Sequence, residues 1–143
     1  MKKIVAFDTN VILNAAMGRD GSEMAQELIQ SVVDGNITGI VTANSITDIH
    51  FIVKKRLGDE KARLVVYNVL ALFDIASVDG DACSIALNTE MKDYEDAILA
   101  VCAAREGADY IATNDEGLIA EKGCPVAALR PDEILRLLKE AGD

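Results

Sequence analysis

An α/β domain with a mostly parallel, five-stranded sheet follows from three features of the sequence. Short, continuous apolar runs recur along the chain, and segments with apolar residues at helical spacing separate them from end to end. Half of the residues are hydrophobic but only 4% are aromatic and none is Trp, so the core must be built from Ala, Val, Ile and Leu. That composition suits helices packed on the faces of a buried parallel sheet. The 143 residues contain no repeat, linker or low-complexity stretch, and fit one domain over residues 1–143.

Ile4-Val5-Ala6-Phe7, closed by Asp8, reads as a central buried strand. Residues 9–17 follow as a helix, ended by Gly18 and Gly21. Ser22 to Val33 form an amphipathic helix with Met24, Leu28, Ile29 and Val32 inward, and Asp34-Gly35-Asn36 stops it. Ile37 to Val41 make the second strand. Thr42 to Leu57 read as a helix with Ile46, Ile49, Val53 and Leu57 at core spacing, ended by Gly58. Asp59 then suits the N-cap of a helix over 60–72, and Asp74 to Val78 form the third strand. Helices from about Gly80 to Glu90 and from Asp93 to Arg105 follow, the second closed by Gly107. Tyr110 to Ala112 is the fourth strand, and Cys124-Pro125-Val126-Ala127 the fifth. Pro131 opens the last helix, which runs to about Lys139.

The formal net charge of −10, from 14 basic and 24 acidic residues, argues against nonspecific binding to nucleic acid or an anionic membrane. No run approaches the length needed to span a bilayer, and the apolar stretch after Lys2 and Lys3 is too short for a secretory signal. Cys83, Cys102 and Cys124 are far apart, form no CxxC pair, and read as reduced, mostly buried thiols of a cytoplasmic protein. A single histidine, His50, excludes a His-rich zinc site.

In parallel sheets, ligands bind beyond the carboxyl ends of the strands, so acids at those points carry the functional reading. Asp8 ends the first strand and Asp115 lies just past the fourth. Asp48 sits on the helix after the second strand, and Asp96 opens the apolar helix that follows the third. Each also has a plain structural role open to it. Asp8 and Asp93 suit helix caps, Asp115 a turn, Asp48 an exposed helical position, and Asp96 the positive end of its helix. Glu95, about 100° around the helix from Asp96, is expected to face solvent. The topology nevertheless carries these acids toward one sheet edge. Carboxylates crowded there repel unless protonated or bridged by a cation, and an oxygen-only donor set suits Mg²⁺ or Mn²⁺.

Three segments carry a family resemblance over nearly the whole chain. Ile4-Val5-Ala6-Phe7-Asp8-Thr9-Asn10-Val11-Ile12-Leu13, Glu95-Asp96-Ala97-Ile98-Leu99-Ala100 and Gly107-Ala108-Asp109-Tyr110-Ile111-Ala112-Thr113-Asn114-Asp115 resemble, in order and spacing, the motifs of PIN-domain proteins, which include VapC-type toxin ribonucleases. The resemblance implies a three-layer α/β/α fold and metal-dependent hydrolysis of RNA phosphodiesters, with Mg²⁺ or Mn²⁺ as cofactor. It carries Asp8, Asp96 and Asp115 over as metal-site acids, Asn10 and Thr113 as orienting polar residues, and Asp93 as a further acid on the Asp96 helix. The sequence departs from the family where Asp48 stands at the usual Glu, one methylene shorter, and where Asn114 replaces the usual Arg. Toxin members pair with an antitoxin and many form homodimers, so both partners are expectations here. Lys54-Lys55-Arg56, with Lys61 and Arg63 nearby, reads either as a solvated helix end or as a rim that contacts substrate phosphates. A catalytically weak or inactive module that binds RNA or protein is the alternative to the ribonuclease, with Asp48 marking a decayed site.

Overall fold

The computed structural model describes residues 2–142. Its elements run β1 (Lys3–Phe7), α1 (Thr9–Met17), α2 (Ser22–Val33), β2 (Ile37–Thr42), α3 (Ala43–Leu57), α4 (Asp59–Leu72) and β3 (Asp74–Ala76). The second half continues α5 (Gly80–Leu87), α6 (Tyr94–Arg105), β4 (Tyr110–Ala112), α7 (Glu116–Ile119), β5 (Ala127–Leu129) and α8 (Pro131–Gly142). The five strands lie in the order β3-β2-β1-β4-β5, and every pairing is parallel. From β1 the chain builds outward through β2 and β3, then crosses to the other side of β1 for β4 and β5. The order therefore reverses between β1 and β4, which is where such sheets open a binding crevice.

Alternation along the strands divides the core into two layers. Val5 and Phe7 of β1, with Val41 of β2, pack against α1 to α4 and α8, through residues such as Leu13, Leu28, Ile49, Val69 and Ile134. Ala6, Ile40 and Ile111 point the other way, against α5 and α6. Seven consecutive residues of α6, Ala97 to Ala103, are buried, as its all-round apolar sequence predicts. The α/β/α sandwich is thus the expected one. Asp109 fixes the β1–β4 register at the far edge, its carboxylate accepting from the Ile4 amide at 2.8 Å while its own amide donates to the Ile4 carbonyl at 2.7 Å.

Several boundaries differ from expectation. β5 begins at Ala127, not Cys124: Pro125 has no amide to give the ladder, and β4 pairs from Tyr110 with Ala127 onward. β3 ends at Ala76 and α5 at Leu87, two and three residues early. Gly58, at φ 95°, takes the N-cap of α4, and Asp59 lies in its first turn. Met24 and Leu57 are exposed at 37% and 49%, because Ala25 and Leu28 face the core in α2, and Ile49 and Val53 in α3. Cys102 is buried, whereas Cys83 and Cys124 are only partly so, and all three are free thiols. Among the described residues no helix is long and apolar enough to cross a membrane.

One close approach yields a prediction. A Cβ at Gly39 in β2 would sit 2.7 Å from the Phe73 ring and 2.9 Å from Val32 Cγ2. Phe73 is itself fixed edge-on against Phe7, with centroids 5.1 Å apart. Gly39→Ala should cost about 1–3 kcal/mol through overpacking, read as a lower urea midpoint with an unchanged m-value.

Candidate active site

β1 and β4 end side by side, and the Asp8 amide donates to the Ala112 carbonyl at 2.9 Å. Asp8 stands at the N-cap position of α1, yet its side chain makes no cap hydrogen bond there. Its Oδ2 instead accepts the Thr113 hydroxyl proton at 2.8 Å. Thr113 is wholly buried, and its Oγ1 also accepts from the Asp115 amide at 3.0 Å. One hydroxyl, used as donor and acceptor, therefore holds Asp8 against the turn that carries Asp115. Asp115 caps the short α7 through a 2.8 Å bond from the Gly117 amide to its Oδ1.

α6 brings the remaining acids. Asp93 is its N-cap, with Oδ1 accepting from the Asp96 amide at 2.9 Å. Capping and membership of an acidic cluster thus coexist in Asp93 and in Asp115. Burial raises the Asp96 carboxyl to about 7, and the charges of Asp93, Asp8, Asp115 and Glu95 push in the same direction. Asp8 is likewise raised, first by burial and then by Asp115, with the Thr113 hydrogen bond pulling it back. Burial also raises Glu95, helped by Asp48, Asp93 and Asp8. Six carboxylates from four parts of the chain are close enough to act on one another.

Between α1, α3 and α6 lies a cavity of about 10 Å³, walled by Asp8, Thr9, Asn44, Ser45, Glu95 and Asp96 over Phe7 and Leu99. The Thr9 and Ser45 hydroxyls are hydrogen-bonded to each other. Asn44 Oδ1 is buried and has no hydrogen-bond partner, the one such side-chain atom among the described residues. An unpaired buried acceptor is unfavourable, and with three carboxylates beside it the wall is chemically suited to a hard cation or its water. Among the described residues, no three Asp, Glu, His or Cys side chains are grouped closely enough to hold one ion by themselves.

The other candidates fall differently. Asp48 is half-buried one turn along α3 from Asn44, acts on Glu95, and does not line the cavity. Asn10 is exposed, and Thr9 takes its expected place beside the acids. Lys54, Lys55 and Arg56 are exposed at the far end of α3, about 10 Å along the helix from Asp48. Lys54 and Arg63 both pair with Asp59, at 3.9 and 2.9 Å. Glu95 is exposed, as its angle to Asp96 predicts, although it also borders the cavity. Sequence reasoning missed the polar trio Thr9, Asn44 and Ser45, and Arg130. The last follows β5 at the same edge and forms an ion pair with Glu116, the residue after Asp115. Its position directly after a strand was the available signal.

The PIN domain family model matches residues 4–117. No match is found among curated protein sequences. Solved structures share the fold at low identity. VapBC2 from Rickettsia felis, bound to a DNA fragment from its promoter, matches with TM-score 0.66 at 16% identity, covering 89% of this chain and 98% of that one. Mycobacterium tuberculosis VapC20, a sarcin-ricin loop cleaving toxin, gives 0.66 at 12%, over 81% and 93%. A toxin–antitoxin complex from Klebsiella pneumoniae gives 0.65 at 22%, over 89% and 97%. With a family match spanning the acids from Asp8 to Asp115, this chain belongs to the PIN-domain family.

Proposed function

We propose that this protein is a metal-dependent endoribonuclease, with Asp8, Asp96 and Asp115 as the acids that hold Mg²⁺ or Mn²⁺ and Asp93 as their neighbour. The observation that carries this reading is the convergence of acids at one sheet edge: the Thr113 hydroxyl ties the Asp8 carboxylate to the turn that carries Asp115, and Asp96 shares a cavity wall with Asp8. Structural ion-pair networks stabilise charged carboxylates, whereas this arrangement penalises them, as sites built for a cation do. A bound divalent ion would supply charge neutralisation at the scissile phosphate and acidify a water nucleophile. The chain's own residues do the rest. Thr113 fixes the Asp8 carboxylate and the Asp115 turn, and Asp93 fixes the first turn of α6 beneath Asp96. Arg130, at the same edge, is the cation best placed to meet an RNA phosphate. Lys54, Lys55 and Arg56 would contact only RNA extending along α3.

The toxin of a toxin–antitoxin pair, acting in the cytoplasm, is the cellular role that the fold neighbours favour, with an antitoxin as protein partner. A homodimer is the oligomeric state we propose, and the exposed Leu64, Tyr67 and Leu70 of α4 offer apolar area for protein contacts. Absence of Asp48 from the cavity wall favours a second reading, a PIN-like binding module without catalysis.

Incubation of the purified protein with single-stranded and structured RNAs decides between them. Cleavage should require Mn²⁺ or Mg²⁺ and fall by at least about 100-fold in EDTA. Undiminished cleavage in EDTA would remove the metal from the mechanism. No cleavage of any RNA and no heat of Mn²⁺ binding would leave the binding module.

A further inference from the structure

At the edge of the sheet where β1 and β2 begin, away from the acids, we infer that a groove between α2 and α8 docks an acidic amphipathic helix of a partner protein, a role independent of the nuclease reading. The groove has a volume of about 760 Å³. Its floor is aliphatic: Ile37 is buried, and Leu135 and Leu138 are half-buried. Met24 adds to it, turned out of the core while Ala25 and Leu28 of the same helix turn in. Lys2 and Lys3 reach the groove from the start of β1, and Arg136 and Lys139 from α8. Four cations at one place reverse the sign of a chain whose net charge is −10. Glu27 is the one acid on this wall among the described residues.

Arg136 is neutralised within α8 by Glu140, at 3.1 Å. Lys2, Lys3 and Lys139 have no ion pair among the described residues. The helix dipole accounts for Lys139, in the last turn of α8. It does not account for Lys2 and Lys3, which come from a strand. Ammonium groups held around one floor repel one another, and an anionic occupant relieves that repulsion. The floor decides which anion fits. No aromatic side chain lines the groove among the described residues, so RNA bases have nothing to stack on, and a phosphate backbone would leave the aliphatic floor uncovered. Strand addition is not open either, because the groove lies at strand ends and not along the outer strands β3 and β5. A helix with Leu at i, i+3, i+4 and i+7, flanked by Glu, covers the floor and meets the cations together. The acidic remainder of the surface repels such a helix, which confines it to the groove.

Fluorescence anisotropy tests the site with a labelled helical peptide of about four turns, Leu on one face and Glu on its flanks, titrated with the full chain. Binding should saturate with a dissociation constant on the order of 100 μM or tighter at low salt, and weaken as salt rises. Amide chemical shifts should move at Lys3, Ser31, Ile37 and Leu138, all on the groove wall. Lys2→Glu combined with Lys139→Glu, both at exposed positions, should weaken binding by about 10-fold or more. Met24→Asp, also at an exposed position, should weaken it by a similar factor of about 10. Lys92→Glu combined with Lys122→Glu, exposed and outside the groove, should change it by less than about 3-fold. Thermal unfolding verifies that each variant is folded, and either groove variant carries the test if the other is not. Absence of binding overturns the assignment, as does equal loss in the Lys92 and Lys122 variant. Equal affinity for polyglutamate, or no effect of Met24→Asp, reduces the groove to plain charge attraction and overturns the helix. Tighter binding of single-stranded RNA at the same amides makes this a nucleic-acid surface instead. Loss of a dimer of this chain in the Lys2 and Lys139 variant, read by sedimentation, makes the occupant a second copy and overturns the partner.

Discussion

Asp8→Asn should abolish RNA cleavage, by about 10³-fold or more, while the protein stays folded. The substitution is nearly isosteric, and its amide oxygen can accept the Thr113 hydroxyl proton as Oδ2 does now. Thr113 then keeps its bond to the Asp115 amide, so the β4 turn is held as before. What changes is charge. Asp8 is partly buried, and its burial and the charge of Asp115 both already work against its ionised form. A neutral side chain there relieves that penalty, so the melting temperature should be equal to or above that of the wild type. Loss of activity therefore cannot be assigned to unfolding. Mn²⁺-dependent cleavage within about threefold of wild type would show that Asp8 neither holds the ion nor shapes the reacting centre.

The strongest elements of the fold were readable because their signals are local. β1 and α6 are continuous apolar runs, buried from Val5 to Phe7 and from Ala97 to Ala103. Parallel topology then carries the residue after β1, the turn after β4 and the start of α6 toward one edge, so Asp8, Asp96 and Asp115 read together as one site. The differences arise where distant packing decides. β5 is placed by its partner β4, and the apolar Cys124-Pro125-Val126 run beside it cannot pair through Pro125. The inner stripe of α2 centres on Ala25 rather than Met24, a choice set by what packs against the helix and not by its periodicity. Glu95 is exposed, as its angle to Asp96 alone predicts, and only the way α6 sits against α1 and α3 makes it border the cavity as well. Thr9, Asn44 and Ser45 had the profile of ordinary polar residues at helix starts, and only their convergence from α1 and α3 distinguishes them. Asn10, drawn from family resemblance, is exposed, while Thr113, drawn the same way, is the buried tie between two acids.

Asp96→Asn should reverse its effect on stability according to whether metal is present. In the folded chain burial and neighbouring carboxylates raise Asp96 from the ordinary 3.8 to about 7. A group raised on folding contributes stability that is complete below its unfolded value and is lost as pH rises through its folded one. For metal-free protein this window runs from about pH 4 to about pH 7, and above it the wild type bears the full penalty of an ionised Asp96. Asparagine bears none. At pH 8 in EDTA the variant should be more stable by roughly 1–3 kcal/mol after allowance for solvent screening, a rise of about 3–8 °C in melting temperature. At pH 4 the difference should vanish. Saturating Mn²⁺ works in the opposite direction, since a ligand at 100 times its dissociation constant stabilises the wild type by about 2.7 kcal/mol. The variant, lacking a central acid, should gain little. The two melting temperatures therefore change order between EDTA and Mn²⁺ at pH 8. An acid that served only to support the start of α6 would give a variant less stable in both conditions. That outcome, or equal Mn²⁺ stabilisation of the two proteins, would remove Asp96 from the metal site.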